Sequence, residues 1–138
     1  MPPGGRIAAT ENWVIEHCLG PLGLGTLILK PRRHVTAVAD LNDGETDELG
    51  PLLRQCSQLA AELIPAEQVY NTLWSHSGAV PGHVHYVIQP VTRDQVQTTG
   101  VYGPALQMHM FMENVHEGDA SITDICDTAR RLWAGRRD

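Results

Sequence analysis

The sequence predicts an α+β domain with a mainly antiparallel sheet, and three observations carry that expectation. Short apolar stretches bounded by Gly and Pro alternate with long segments of helical period. Their order is strand, strand, helix, strand, strand, helix, without the regular alternation of a parallel sheet. No internal repeat, linker or low-complexity tract interrupts them. With 138 residues, 42% of them hydrophobic and 19% charged, the chain has the make-up of one soluble domain large enough for a core.

Residues 1–10 read as a flexible leader and 11–138 as a single domain. Trp13 to His17 is the first strand. Thr26 to Leu29 is the second, stopped by Pro31 after the turn-rich run Gly20 to Gly25. Acidic residues gather at a helix start in Asp40 to Glu45. Leu49, Leu52, Leu53, Cys56, Leu59, Ala60 and Leu63 then recur at three and four, as on one helix face, until Pro65. Residues 69–74 are a third strand, 75–82 a loop, and 83–89 a fourth strand closed by Pro90. Residues 91–103 look irregular, Pro104 opens a helix to about Asn114, and Ile122, Ile125, Cys126, Ala129, Leu132 and Trp133 line a last helix. Asp119 or Ser121 caps that helix and Gly135 stops it.

The bulk numbers exclude several classes of function. A formal charge of −6 argues against a nucleic-acid partner. No apolar run approaches the length of a membrane span, so no membrane partner is expected. The three cysteines, Cys18, Cys56 and Cys126, form no CxxC pair and fit a reducing, cytoplasmic setting. Cys56 and Cys126 read as core residues on helix faces. Lys30, Arg32 and Arg33 form the only basic cluster in the first half, either a solvated loop or local donors for a small anion.

His83 and His85 alternate across Val84, so on a strand both imidazoles project from one face with Cα atoms about 6–7 Å apart. Imidazole is a neutral nucleophile, proton carrier or metal ligand near pH 7, and two of them beside a Gly- and Ser-containing loop are a candidate reaction centre. The alternative is a pair of strand histidines with ordinary hydrogen bonds. A zinc site would need a third ligand from His76, Cys18 or an acidic residue; no spacing supports one, and no metal or cofactor is expected.

The string His83-Val84-His85-Tyr86-Val87-Ile88-Gln89-Pro90 resembles the signature of the histidine triad (HIT) family, His-φ-His-φ-His-φ-φ with a proline next. The resemblance extends over about residues 11–92 and includes Gly20 to Gly25, the run Lys30-Pro31-Arg32-Arg33-His34-Val35, the helix over 41–63 and the strand over 69–74. Pro90 sets the register: His83 and His85 match the first two histidines and Val87 the third. Thr26 matches a further family histidine, and the loop before the motif is one residue longer at Pro81-Gly82. The resemblance implies a HIT-like fold, a sheet of about five strands with one long helix and a C-terminal helix, and a homodimer.

The resemblance also implies nucleotidyl transfer, with a small-molecule nucleotide as partner. His85 would attack the α-phosphorus of a dinucleoside polyphosphate, phosphoramidate or nucleotide sugar, form a nucleotidyl-histidine and pass the nucleotide to water or another acceptor, as a hydrolase or nucleotidyltransferase. Its opposite ring nitrogen must be pinned by an acceptor such as a backbone carbonyl. His83 would contact phosphate oxygens or the leaving group. Ser75, Ser77 and the amides around Gly78 and Ala79 would supply donors. His76 would fill part of the space left by the missing histidine or be an exposed loop histidine, and Asn71 on the neighbouring strand would hold phosphate or ribose or face solvent. Valine at 87 neither donates nor accepts a hydrogen bond. That departure, together with Thr26 at the further histidine position, motivates a second reading, a catalytically inactive nucleotide-binding regulatory module.

Overall fold

The periodic leucines of the sequence form the longest helix, α1 (Asp43–Leu63), and its start is fixed by a reciprocal cap. The Glu45 amide donates to the Asn42 side chain at 2.9 Å, and the Asn42 amide donates to the Glu45 carboxylate at 2.8 Å. Leu52, Cys56, Leu59 and Ala60 are buried along one face of this helix. Pro51 lies on its exposed side, beside the exposed Asp47 whose carbonyl it leaves without a helical donor. The structure is a computed structural model that describes residues 2–136. Met1 of the expected leader and the last two residues of the expected domain lie outside the described residues.

Five strands form the main sheet: β1 (Arg6–Ala9), β2 (Trp13–His17), β3 (Leu27–Pro31), β4 (Gln68–Thr72) and, after a small hairpin of β5 (His76–Ser77) and β6 (Val80–Pro81), β7 (Tyr86–Val91). Their order is β1-β2-β3-β7-β4, with every neighbouring pair antiparallel. The α+β, mainly antiparallel architecture expected from the sequence is therefore what forms. Three further helices follow, α2 (Arg93–Thr99), α3 (Pro104–Glu113) and α4 (Asp119–Arg136). No helix among the described residues is long and apolar enough to cross a membrane.

The period of two divides the sheet into two faces. Trp13, Ile15, Leu27, Leu29 and Ile88 pack against α1 and against Ile122, Cys126, Ala129 and Trp133 of α4. Each Ile or Leu side chain among them contributes about 1.5–3 kcal/mol on burial. Trp13 also joins sheet to helix, its indole N–H donating to the Glu45 carbonyl at 2.9 Å. The opposite face carries Val14, Glu16, Ile28, Lys30, Val87 and Gln89. Over β4 and β7 this face is capped by α2 and α3. Gln107 donates to the Gln89 side-chain carbonyl at 3.0 Å, and the Gly103 amide donates to the Tyr70 hydroxyl at 2.8 Å. The rest of that face is open.

Several expectations are corrected. Residues 6–9, assigned to a flexible leader, form edge strand β1. Its register with β2 shifts between Arg6↔Glu16 and Ala8↔Ile15. The bulge sends both Ile7 and Ala8 to the core side, which breaks the alternation that marks a strand. Residues 91–103, expected to be irregular, contain α2, which opens on a second reciprocal cap between Thr92 and Gln95 and ends at Gly100 with φ 73°. Residues 75–82 are not a plain loop. Gly78 (φ 58°) and Ala79 (φ 64°) make the two-residue turn of the β5–β6 hairpin, both central residues left-handed as a type I′ turn requires. Gly135 does not stop the last helix, which continues through Arg136.

Cys18, Cys56 and Cys126 are all buried free thiols. Burial pushes the Cys56 thiol up to about 12. Cys56 is therefore expected to resist a thiol-specific disulfide reagent at pH 8 in the native protein and to react at once in denaturant. Fast native labelling at Cys56, read by mass spectrometry of its peptide, would contradict this packing.

Candidate functional site

His83 and His85 precede the first residue of β7 and lie outside the sheet ladder. The segment is held instead by the loop after β3, the Val84 amide donating to the Val35 carbonyl at 2.7 Å. The extended backbone still sends positions 83, 85 and 87 to one side, and all three line a cavity of about 470 Å³ on the open face of the sheet. That volume lies in the range of small-ligand sites. Leu22, Ile28 and Phe111 form much of its wall, and Lys30 is its one ammonium group.

The two histidines have different partners. His85 Nδ1–H donates to the His83 carbonyl at 2.9 Å, which leaves Nε2 with its lone pair and no hydrogen bond among the described residues. This is the tautomer a nucleophilic imidazole needs. His83 is committed on both ring nitrogens: the Val35 amide donates to Nδ1 at 3.2 Å, and Nε2–H donates to the Pro31 carbonyl at 2.9 Å. The exposed His34 ring stacks on it at 5.2 Å between centroids. With no lone pair or N–H to spare, His83 serves as a strut. It holds the carbonyl that orients His85, and this geometry does not give it the phosphate contact expected from the sequence.

Other expected residues are placed away from the cavity. Asn71 pairs across the ladder with Ile88, a core residue, and so faces α1, where its amide donates to the Ser57 hydroxyl at 3.1 Å. Tyr70 and Thr72 are what β4 presents toward the α2–α3 cap. His76, Ser77, Gly78 and Ala79 sit in the exposed β5–β6 hairpin, and none of them lines the cavity. Ser75 lies at φ 49°, its hydroxyl buried and without a hydrogen-bond partner among the described residues, and it too is not a lining residue. The hairpin closes on itself through the Gly82 amide and the Ser75 carbonyl at 2.9 Å, and this turn chemistry directs it outward.

Sequence reasoning missed Lys30, Leu22 and Phe111 as cavity residues. Lys30 alternates with Ile28 on β3 and is cross-bridged to Glu16 on β2. Arg33, read with it as part of a basic loop, instead forks onto the buried Glu45 carboxylate, donating at 2.8 and 3.3 Å. That guanidinium holds the Glu45 carboxyl below the usual carboxylate range. Among the described residues no three His, Cys, Asp or Glu side chains are arranged to hold a metal ion.

The same architecture recurs in solved structures of low sequence identity. The Plasmodium falciparum diadenosine triphosphate hydrolase in complex with cyclomarin A superposes with a TM-score of 0.72 at 12% identity, over 100% of this chain and 82% of that one. A zinc-bound histidine triad family protein from Mycobacterium smegmatis gives 0.68 at 14%, over 99% and 89%. The C. elegans NitFhit protein gives 0.69 at 16% over 96% of this chain, which spans only 28% of that longer one. The fold is HIT-like. No protein-family model and no curated protein matches the chain in sequence. Within the HIT-like fold, Thr26 is fully buried and donates to the Leu22 carbonyl at 3.0 Å, a structural role.

His17 is the buried histidine of this HIT-like fold. Its Nδ1–H donates to the Cys18 carbonyl at 2.6 Å and its Nε2 accepts the Gly25 amide at 2.9 Å, which fixes the turn beside the cavity. Burial lowers its pKa. On acidification the unfolded chain therefore takes up this proton first, near pH 6.5. The contribution of neutral His17 is complete above that pH and is lost as pH falls toward the depressed native value. Urea midpoints are expected to fall between pH 7 and 5, with a shallower fall in His17→Gln. Equal slopes in the two proteins would remove His17 as the cause.

Proposed function

We propose that this protein binds a nucleoside phosphate derivative in the cavity beside His85 and cleaves it at the α-phosphorus through a nucleotidyl-histidine. His85 Nε2 attacks phosphorus, the bond from phosphorus to the leaving group breaks, and the leaving group departs with the electron pair. Water or another acceptor then takes the nucleotide, loses a proton to solvent and frees the imidazole. The observation that carries this reading is the His83 carbonyl holding His85 in the Nδ1–H tautomer, with Nε2 unbonded among the described residues at a cavity of ligand size. The HIT-like fold, which the diadenosine triphosphate hydrolase also has, supports it by analogy.

A second reading, a nucleotide-binding module without turnover, is favoured by one observation. Val87 stands beside His85 without a polar group, and Lys30 is already engaged by Glu16. Incubation with phosphorus-labelled dinucleoside polyphosphates, adenosine phosphoramidates and nucleotide sugars separates the two. The enzyme gives an acid-labile labelled adduct that maps to His85 and disappears in His85→Ala. Saturable binding of these compounds with neither adduct nor product establishes the module. Assembly as a homodimer belongs to the same proposal, and mass measurement in solution tests it.

A further inference from the structure

The cavity beside His85 shares Lys30 and His83 with a second hollow of about 420 Å³, which runs across the open face toward the sheet edge. Arg6, Val14, Glu16, Pro31 and Arg32 complete its lining. In a chain with 10 Lys and Arg against 16 Asp and Glu, three cations around one carboxylate are a local reversal of sign. Glu16 is engaged by Lys30, while neither Arg6 nor Arg32 meets a carboxylate among the described residues. The bulge in β1 turns Ile7 and Ala8 to the core and leaves Arg6 opposite Glu16, on the open face. Arg32 is held at the end of β3 by its amide donating to the Asn12 carbonyl at 2.8 Å. Both guanidinium groups belong to exposed residues and are free to turn toward a ligand.

The groups around His85 restrict the leaving group. An amine or alkoxide expelled from phosphorus needs a proton as it departs. His83 is hydrogen-bonded on both nitrogens, Val87 carries no acidic proton and the Lys30 ammonium is held by Glu16, so no residue beside His85 is placed to supply one. A phosphate leaving group departs as a stable anion and needs cations instead.

We propose that the Arg6–Lys30–Arg32 basin receives a polyphosphate leaving group, with further phosphates running from the scissile phosphorus past His83 and Lys30 to the two arginines. This rests on the proposed His85 chemistry and narrows its substrates to nucleoside polyphosphate derivatives. As the phosphorus–oxygen bond breaks, the bridging oxygen keeps the electron pair on the departing phosphate. The basin neutralises that charge, and no proton is transferred.

Inorganic tripolyphosphate tests the basin without catalysis. Calorimetric titration is expected to show binding that weakens with salt. Arg6→Gln/Arg32→Gln should weaken it at least about tenfold, about 1.4 kcal/mol, with an unchanged melting curve. In turnover assays the same double variant should lower kcat/KM for a dinucleoside triphosphate about tenfold relative to an adenosine phosphoramidate. Equal tripolyphosphate affinity in wild type and double variant overturns the basin, as does a wild-type preference for the phosphoramidate. Arginine-dependent tripolyphosphate binding in a protein that turns over nothing keeps the basin and removes the His85 chemistry instead.

Discussion

His85→Ala is expected to lower kcat for the best nucleoside phosphate derivative by about a thousandfold or more, because it removes the group that forms the covalent bond. Binding should survive, since the apolar wall and Lys30 of the cavity stay in place. His83→Ala should behave differently. It deletes the ring that ties Pro31 and Val35 to the segment carrying the orienting carbonyl, so a smaller loss in kcat, about ten- to a hundredfold, should accompany some loss of stability. Steady-state kinetics with denaturation curves for both variants checks the pair. Full activity in His85→Ala would end the nucleotidyl-histidine mechanism, and a collapse of binding alone would assign His85 to ligand contact.

Trp13→Ala is expected to cost about 3–5 kcal/mol of stability. The indole is fully buried between sheet and helices, lies 6.3 Å from the Tyr86 ring centroid, and donates to the Glu45 carbonyl in the first turn of α1. Removing it opens a cavity and strands a carbonyl at the joint between β2 and the helix. Melting should drop by roughly 10 °C or more for a domain of this size. A loss below about 1 kcal/mol in urea unfolding would mean that the surrounding core collapses to fill the space.

What the sequence made legible was the part of the fold that follows simple periods. The spacing of Leu52, Cys56 and Leu59 announced α1, and the aliphatic run at Leu27 to Leu29 announced β3. Arg6–Ala9 escaped notice because a bulge places consecutive residues on one face. The α2 helix has a signal in the sequence that does not depend on apolar period: Thr92 and Gln95 are spaced as a capping box, and Gly100 sits where a left-handed cap belongs. Within the site, the parity of positions 83, 85 and 87 put them on one side, but composition does not reveal which side Asn71 takes. That depends on the pairing of Asn71 with Ile88, a long-range register. Likewise Phe111 and Lys30 reach the cavity only through tertiary packing that no local pattern encodes.

The attachment of α2 and α3 has a consequence for how ligands enter. This pair adds no residue to the main core between the sheet, α1 and α4; it is fastened by the Gln107–Gln89 amides, the Tyr70 hydroxyl, the buried Leu106 and Met110 packed on Leu22 and Val87. Its backbone amides should exchange with deuterium well ahead of those in β2 and β3. Phe111 would then ride on a flap that swings as a unit, admitting bulky molecules to His85 without disturbing the oily layer beneath the sheet.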